Sequence, residues 1–587
     1  MEKTGNFKER VGDIKNKAIE IKNKAVTFTK ETVKKIQADK KKRIIATIII
    51  TAFILFLGLG TVMYYIAGPS EGYMTADSTD SLEWAEEYRI TGELISEEYN
   101  YAAILPFGGN QIFLPFLAIF GYSMNAQIGG LLVFAILMCA ALVYLGRGLG
   151  FGWFTSAGLS SVVMLLLSSS PKLREIMWEH IFYYNLGILF FCFGFGLLIR
   201  ILRDADKINE DRKVFIKTAV RMCIFMMFCV LASTDGLQAL MCLTLPLLAS
   251  LVLYCVFKKE TPIFSKDNKW HIILFGAIVV STLVGVALLF AITNGVKAGY
   301  ANSYSAYSSI HDVMNNLLRQ VPNWFTLFGI DYLPGDSLVS KESIINLIKI
   351  ATAIILFIVP IAQLIRYKKI ENKPLKLVLL GHAALMAFLL FACVFGNIGT
   401  VNWRLTPLLG TSSIITVVSL FEYLKGKGIM KRMGVLLVAC VMLGSFVSFK
   451  TVWDMPANYG EKNNWHMVAE ELEKRDLKYG YATFWWANLT KMIAGNGVQI
   501  ANIGIDGNGF IRQEHYQSRK DAYEDRETDR YFVIFNEADY RNARNWINHQ
   551  KATGTFVEEI VVESGEYKHN FYQGSKSYII VVNQNPF

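Results

Sequence analysis

Long apolar stretches dominate this chain. A bilayer core about 30 Å thick is crossed by about 20 helical residues. Eleven stretches approach that length, near 44–66, 126–146, 152–169, 183–201, 214–233, 237–257, 271–292, 344–365, 376–396, 404–424 and 432–450. The composition agrees, since 53% of the residues are hydrophobic and only 18% are charged. The sequence therefore predicts a polytopic α-helical membrane protein, in which the shorter stretch 111–120 is re-entrant or interfacial.

The basic residues indicate how the chain is oriented. The formal net charge is +10, but the excess lies in the N-terminal arm and in short loops between apolar stretches, which argues against a nucleic-acid partner. Cytoplasmic loops are enriched in Lys and Arg. Placing Lys40–Arg43 inside also places the other basic loops inside, at 200–213, 258–269, 366–376 and 425–432. We predict a multi-pass protein of the cell membrane with a cytoplasmic N-terminus and an extracytoplasmic C-terminus.

The two ends of the chain differ from its apolar centre, 44–450. Residues 1–43 contain a repeat, Ile14–Ala18 and Ile21–Ala25, with apolar residues at helical spacing among lysines. This predicts a cytoplasmic basic amphipathic helix on anionic lipids, although a coiled coil or a loosely ordered arm fits equally. Residues 451–587 are polar and predict an extracytoplasmic α/β domain. Its predicted helices lie near 461–475, 485–495 and 538–550, and its strands near 478–483, 498–503, 531–536 and 578–583.

The loop after the first apolar stretch is strongly acidic. Within 67–115, its part 72–115 carries one basic residue, Arg89, against eight acidic residues: Asp77, Asp80, Glu83, Glu86, Glu87, Glu93, Glu97 and Glu98. Such an imbalance is typical of a loop outside the cytoplasm. The loop reads Asp77-Ser-Thr-Asp80-Ser-Leu-Glu-Trp84-Ala85, and a Pro-containing return to the membrane follows.

This arrangement resembles the GT-C superfamily of polytopic glycosyltransferases, of the protein mannosyltransferase and aminoarabinose transferase type. The resemblance implies transfer of a sugar from a polyprenyl-phosphate-linked donor to an extracytoplasmic glycan, lipid or protein. It also implies that an aspartate of the first outer loop acts at the reacting centre. We therefore predict Asp77 as the general base of an inverting reaction, with Asp80 as the second candidate. Asp77 as a solvated turn residue, and Asp80 with Glu83 as a helix capping box, remain the alternatives.

A phosphate leaving group needs a nearby cation. The leading candidate is Arg404 in Asn402-Trp403-Arg404-Leu405-Thr406-Pro407, which resembles the Arg-aromatic-apolar-Pro element of several GT-C families, with Leu405 where an aromatic residue is usual. An outer arginine that snorkels to lipid headgroups fits equally. Weaker candidates, each also explained as an interfacial anchor, are Lys172, Arg174 and Lys297.

Other polar and aromatic residues are expected at the same outer face. Glu179 and His180 lie at the entrance to the fourth span, where they are candidates for positioning donor or acceptor. Aromatic rings that could stack on a sugar or on the polyprenyl chain are Tyr300, Tyr304, Trp324 and Trp403. An aromatic belt at the lipid headgroups is the alternative for each ring.

Several chemistries have no signal in the sequence. All eight cysteines lie in apolar stretches, and no nucleotide-binding motif is present. We expect no metal and no other cofactor, because Asp77 and Asp80 alone make a poor cation site. A transporter or flippase of lipid-linked glycans is the alternative function, but it should carry charged residues deep in its spans. Such residues are nearly absent, with His382 among the few.

Overall fold

The computed structural model describes residues 40–205, 207–258, 262–294, 296, 306–330, 335, 337, 339–398, 401–458, 463–495, 497–563 and 576–587. The predicted N-terminal helix lies in 1–39, outside the described residues. The helices of the membrane region are α1 (Ile44–Ala67), α2 (Asp80–Thr91), α3 (Leu114–Phe120), α4 (Met124–Gly148), α5 (Trp153–Leu166), α6 (Tyr183–Ala205), α7 (Arg212–Ser233), α8 (Leu237–Phe257), α9 (Lys266–Ile292), α10 (Val313–Leu327), α11 (Lys341–Ile365), α12 (Lys373–Phe395), α13 (Asn402–Lys425) and α14 (Ile429–Trp453).

Ten of these described helices are long and apolar enough to cross a membrane, all except α2, α3, α5 and α10. Each of the ten coincides with a predicted span. Their lipid-facing surfaces are apolar, as in α1, where Ile48 and Ile49 are each 62% exposed. Exposed apolar surfaces on so many helices of spanning length mark contact with a membrane. The prediction of a polytopic helical membrane protein is therefore confirmed.

Helix α5 supplies an eleventh crossing. It has 14 residues and is followed by a bend of 120° into the segment Pro171–Glu179. At one end of α4, Gln127 donates to the carbonyl oxygens of Ser78 and Glu179, at 2.7 and 2.9 Å. At its other end, the carbonyl of Tyr144 accepts from Arg200, near the end of α6, at 2.7 Å. Since the chain leaves α4 at one face and enters α6 at the other, α5 must cross between them.

Helix α3 does not cross. It has seven residues and ends at Gly121, where a φ of +63° suits glycine. The chain then turns back into α4, which approaches α3 closely. A Cβ atom at Gly130 would lie 2.2 Å from the ring of Phe113. The prediction that 111–120 is too short to span the membrane is confirmed.

The C-terminal residues form an α/β domain, called the outer domain below after its predicted side of the membrane. Its elements are α15 (Asn464–Lys474), β1 (Tyr479–Ala482), α16 (Phe484–Ala494), β2 (Gln499–Ile505), β3 (Ile511–Gln513), β4 (Tyr531–Asn536), α17 (Glu537–Asn542), α18 (Arg544–Thr553), β5 (Phe556–Glu563) and β6 (Lys576–Val582). The six strands lie in the order β3-β2-β1-β4-β6-β5. Strands β2, β1 and β4 are parallel, and the remaining pairs are antiparallel.

The four predicted strands are present, but the sequence prediction missed β3 and β5. Strand β3 has only three residues. In β5 a register shift between Phe556 and Glu558 interrupts the alternation of apolar and polar residues. The helix predicted at 538–550 is two helices, α17 and α18. The missed strands and the undivided helix have one cause. A short or irregular element has too few residues to show a regular hydrophobic period.

Candidate active site

The segment that carries Asp77 is a tight turn between α1 and α2. Residues Ala76–Thr79 form a 3-10 turn with a capping box, in which the Thr75 and Ser78 side chains each accept from the other residue's backbone N–H. Helix α2 begins at Asp80, and its N-cap residue, Thr79, makes no side-chain capping bond. The capping box predicted at Asp80 and Glu83 is therefore wrong. Thr75 and Ser78 have the same spacing and satisfy the preceding turn instead.

Asp77 lies in a small cluster of charged and aromatic side chains from two other segments, Pro171–Glu179 and the turn Asn402–Leu405. The Lys172 ammonium is 2.6 Å from the Glu175 carboxylate and 4.8 Å from the centre of the Trp403 ring. His180 Nδ1 lies 3.4 Å from the carbonyl oxygen of Asp77. Burial and the nearby charge of Glu175 raise the pKa of Asp77 to about 6, against the opposing effect of Lys172. The structure thus brings together Asp77, Lys172, His180 and Trp403 of the predicted residues.

The segment Pro171–Glu179 is held in place by its first residues. Ser170 accepts from the N–H of Leu173 at 3.0 Å and donates to the carbonyl of Leu327, at the end of α10, at 2.6 Å. This double role fixes the start of the segment against α10. Lys172 and Glu175 follow within five residues, and both are close enough to Asp77 to act on its carboxylate electrostatically.

Two predicted residues lie beneath this cluster rather than at its open side. Arg174 is only 1% exposed, donates to the carbonyl of Ser168 at 3.1 Å, and has its guanidinium 5.4 Å from the ring of Tyr65. Glu179 is fully buried and accepts a hydrogen bond of 2.5 Å from the Tyr65 hydroxyl. Both side chains are buried against Tyr65, and in this structure neither is accessible to a phosphate or an acceptor.

Arg404 lies in the 3-10 turn Asn402–Leu405 at the start of α13, directly after Trp403. It is close enough to Cys393, at the end of α12, to act on its thiol electrostatically. Asn402 donates to the Thr326 hydroxyl of α10 at 3.3 Å. The turn therefore joins the Lys172 side of the site to the ends of α10 and α12.

Next to this turn is an apolar cavity of about 280 Å³ between α10, α11, α12 and α13. Its lining includes Val321, Trp324, Phe357, Leu390 and Leu405. Trp324 is 5% exposed and donates its indole N–H to the carbonyl of Ala353 at 3.0 Å, so it faces the cavity as part of a fixed wall. An apolar cavity beside a cationic turn suits the chain and headgroup of a phospholipid. Lys297, Tyr300 and Tyr304 lie outside the described residues.

Asp80 has a different environment from Asp77. It is 6% exposed and faces Gln517 of the outer domain, whose side-chain carbonyl accepts from the indole N–H of Trp84 at 3.1 Å. Burial, with the charges of Asp77 and Glu83, raises the pKa of Asp80 well above its usual value, although the contact with Gln517 opposes this. Asp80 is thus enclosed where the start of α2 meets the outer domain.

Three comparisons with known proteins bear on the fold. No model of a protein family matches the sequence, and no curated protein matches it. Among solved structures, ArnT from Cupriavidus metallidurans bound to undecaprenyl phosphate is 8% identical, with a TM-score of 0.52 over 92% of this chain and 98% of that chain. The chain therefore shares the fold of this ArnT structure.

Two further structures resemble the chain more weakly. ArnT from the same organism in the apo state is 10% identical, with a TM-score of 0.49 over 90% of this chain and 97% of that chain. An oligosaccharyltransferase from Archaeoglobus fulgidus, tethered to an acceptor peptide, is 12% identical, with a TM-score of 0.42 over 91% of this chain and 74% of that chain.

Within this fold, some residues of the site were not predicted from the sequence. Glu175 and Tyr65 are the main omissions. Glu175 forms part of Glu175-Ile-Met-Trp-Glu179-His180, but its spacing from Lys172 gives an (i, i+3) ion pair only if the segment is helical. Tyr65 lies inside an apolar span, where tyrosine is unremarkable. Gln517 is far from the loop in sequence, and only the tertiary contact reveals it.

No group of three or more His, Cys, Asp or Glu side chains in the described ranges could hold a metal ion. The cluster itself supplies a carboxylate with a raised pKa and an ammonium, and the neighbouring turn adds a guanidinium and, at Leu405, an apolar cavity. These groups match the needs of proton removal and phosphate departure.

Proposed function

We propose that this protein is a glycosyltransferase that moves a sugar from a polyprenyl-phosphate-linked donor to an acceptor outside the cytoplasm, with inversion at the anomeric carbon. The observation that carries the proposal is the position of Asp77 beside Lys172, whose ammonium packs on the Trp403 ring. Trp403 and Arg404 share a turn that reaches an apolar cavity at Leu405. The fold supports it, because the chain shares the fold of an ArnT structure that contains undecaprenyl phosphate. The acceptor is a glycan, a lipid or a protein.

In the proposed reaction, the Asp77 carboxylate takes the proton of an acceptor hydroxyl. The acceptor oxygen then forms a bond to the anomeric carbon while the bond from that carbon to the phosphate oxygen breaks. The electron pair of the broken bond remains on the polyprenyl phosphate. One carboxylate suffices, because the phosphate leaves as an anion and needs charge neutralisation rather than a protonated partner.

Lys172 and Arg404 are the cations proposed to neutralise the phosphate. Lys172 is held by Glu175 and the Trp403 ring, and Arg404 follows Trp403 in the same turn. Fixed cations in a water-poor site stabilise developing charge at little reorganisation cost. The polyprenyl chain would then occupy the cavity that begins at Leu405. The ArnT structure contains undecaprenyl phosphate, which supports a lipid of this class.

The predicted topology implies which side of the membrane the site faces. The basic loops are proposed to face the cytoplasm, so the Asp77 turn and the outer domain lie on the other side. A donor assembled inside the cell must therefore reach the outer leaflet before it is used. This agrees with a lipid-linked sugar rather than a nucleotide sugar.

The test is transfer or hydrolysis of radiolabelled undecaprenyl-phosphate sugars by the purified protein in lipid nanodiscs. We expect at least one sugar to be released, with undecaprenyl phosphate as co-product. Val321→Trp, which narrows the cavity, should reduce turnover at least about tenfold, a loss of about 1.4 kcal/mol in transition-state stabilisation. Leu318→Trp is the control, because Leu318 lies on the same helix and is as exposed as Val321, at 63% against 62%, but does not line the cavity.

Two outcomes would contradict the proposal. One is the absence of sugar release with every donor, while the protein moves intact donor between leaflets, as a flippase would. The other is release that Val321→Trp and Leu318→Trp reduce equally, because the cavity would then have no role in donor binding.

A further inference from the structure

We propose that the protein has a second, separate carbohydrate-binding site, a pocket of about 450 Å³ between α2 and the outer domain. Helix α2 contributes Glu83, Glu87 and Arg89 to its lining. The outer domain contributes Tyr479, Lys491 and Arg519. Small-molecule sites typically have volumes of about 300–1,000 Å³, so the pocket is large enough for a short oligosaccharide.

The charged residues of the pocket balance one another. Four carboxylates and four cations line it, and every one of them is in an ion pair. Lys491 lies 3.0 Å from Glu83, and Arg519 lies 2.8 Å from Glu87. Two of the carboxylates form the floor, since the side chains of Glu83 and Glu87 are 5% and 2% exposed. The cations form the wall, since those of Lys491 and Arg519 are 22% and 27% exposed.

This arrangement selects a class of ligand. The exposed N–H groups of the wall offer donors to a ligand that carries acceptor oxygens. A formal anion would have to draw Lys491 or Arg519 away from its partner, and would leave Glu83 or Glu87 buried and unpaired, which is strongly unfavourable. Hydroxyl and ring oxygens accept hydrogen bonds without that cost. The pocket therefore favours an uncharged, hydroxyl-rich ligand.

The pocket also contains aromatic residues, which are common in carbohydrate-binding sites. Five tyrosines contribute to the lining: Tyr99, Tyr122, Tyr479, Tyr481 and Tyr531. Four of them are at most 6% exposed, whereas Tyr479, at the start of β1, is half-buried and is the ring that a ligand can reach. Aromatic rings pack against the apolar faces of sugar rings while side-chain donors bind the hydroxyl groups.

The pocket is distinct from the Asp77 cluster, because none of Asp77, Lys172, Glu175 or Trp403 lines it. The binding of a neutral glycan there does not depend on the proposed function. The further interpretation, that this glycan is a part of the acceptor held away from the reacting hydroxyl, does rest on it. The two ion pairs that form the pocket also fix α2, which starts three residues after Asp77.

The experiment measures binding of the full-length protein in nanodiscs to an array of neutral and acidic oligosaccharides. We expect binding to one or more neutral oligosaccharides. Gln499→Trp fills the pocket from its rim, where Gln499 is exposed, and should weaken binding at least tenfold. Tyr479→Ala should weaken it similarly by removing a ring.

Two controls separate this site from the rest of the protein. Tyr578→Ala removes an outer-domain tyrosine that stacks on Tyr540, outside the pocket, and should leave binding unchanged. Asp77→Asn should also bind normally, so that a failure of the proposed catalysis does not affect the result. Binding only to acidic glycans, binding to none, or binding that survives Gln499→Trp in the folded protein would overturn the proposal.

Discussion

Lys491 of the outer domain lies 3.0 Å from Glu83 of α2. The Glu83 carboxylate also accepts a hydrogen bond of 2.5 Å from Tyr122, and Arg519 pairs with Glu87 one turn further along α2. Because α2 starts at Asp80, directly after the turn that holds Asp77, these contacts link the position of Asp77 to the outer domain. The outer domain is therefore a structural part of the candidate site.

We predict that Lys491→Met destabilises the protein by about 1.5–3 kcal/mol, because Glu83 would keep its burial and lose a charged partner. The measurement is the free energy of unfolding of the purified protein. In the double variant with Glu83→Gln the loss should be smaller than the sum of the two single losses, since the two residues act on each other.

The control for this prediction is Arg89→Gln, which breaks the pair between Glu86 and an arginine whose side chain is 48% exposed. Exposed pairs contribute at most about 1 kcal/mol. Additive losses for Lys491→Met and Glu83→Gln would mean that the pair does not hold α2.

The second prediction concerns the pH dependence of turnover. A base must be deprotonated to act, and burial with Glu175 raises the pKa of Asp77 to about 6, so turnover should rise with pH through a midpoint near 6. Glu175→Gln removes a negative charge beside Asp77 and should move that midpoint to lower pH. The measurement is the pH profile of donor turnover. Glu97 is an exposed carboxylate outside the cluster, so Glu97→Gln should leave the profile unchanged. An equal shift of the midpoint in both variants would rule out a local effect of Glu175.

The third prediction concerns Arg404. If its guanidinium binds the donor phosphate, Arg404→Ala should weaken undecaprenyl phosphate binding by about tenfold to a hundredfold. Arg404→Lys should weaken it less, because the ammonium keeps the charge and loses only the forked geometry. Binding is measured by titration in nanodiscs, with Arg319→Ala, an exposed arginine of α10, as the control. Equal affinities for the wild type and Arg404→Ala would instead support snorkelling to headgroups.

The fourth prediction concerns orientation. The basic loops place Lys427 in the cytoplasm and the outer domain outside. An impermeant thiol reagent applied to whole cells should label Asn508→Cys and spare Lys427→Cys, both of which are at exposed positions. If the reagent instead labels Lys427→Cys and spares Asn508→Cys, above the background of the native cysteines, the predicted topology is wrong. The Asp77 turn would then lie in the cytoplasm.

The membrane fold was predictable because its signal is long and local. Each span needs about 20 apolar residues, and a helix satisfies its backbone hydrogen bonds internally, so composition alone marks the crossing. Even α5 was predicted, although its helix ends at Leu166. Short elements such as β3 carry no comparable signal.

The candidate site was predicted less completely, because it depends on contacts between distant segments. Asp77, Lys172, His180 and Trp403 were each chosen for position and type, and the structure brings them together. The same reasoning could not distinguish Lys172, which faces Asp77, from Arg174, which is buried against Tyr65. Lys172 and Arg174 are only two residues apart, and the packing of Pro171–Glu179 determines which of them faces Asp77 and which is buried. Likewise, Gln517 reaches Trp84 across 433 residues of sequence.

The central claim is that Asp77 is the base, and the most direct test compares Asp77→Asn with Asp80→Asn. General-base catalysis typically contributes about 10²- to 10⁴-fold. Asp77→Asn should therefore reduce turnover by at least 10²-fold while donor binding and melting temperature stay near those of the wild type.

Asp80→Asn should retain most of its activity, because burial favours the protonated form of Asp80, which asparagine matches in shape and charge. The measurement is donor-dependent turnover of the two purified variants side by side. The account predicts an inactive Asp77→Asn and an active Asp80→Asn, and the opposite ranking, or near-native turnover by Asp77→Asn, would contradict it.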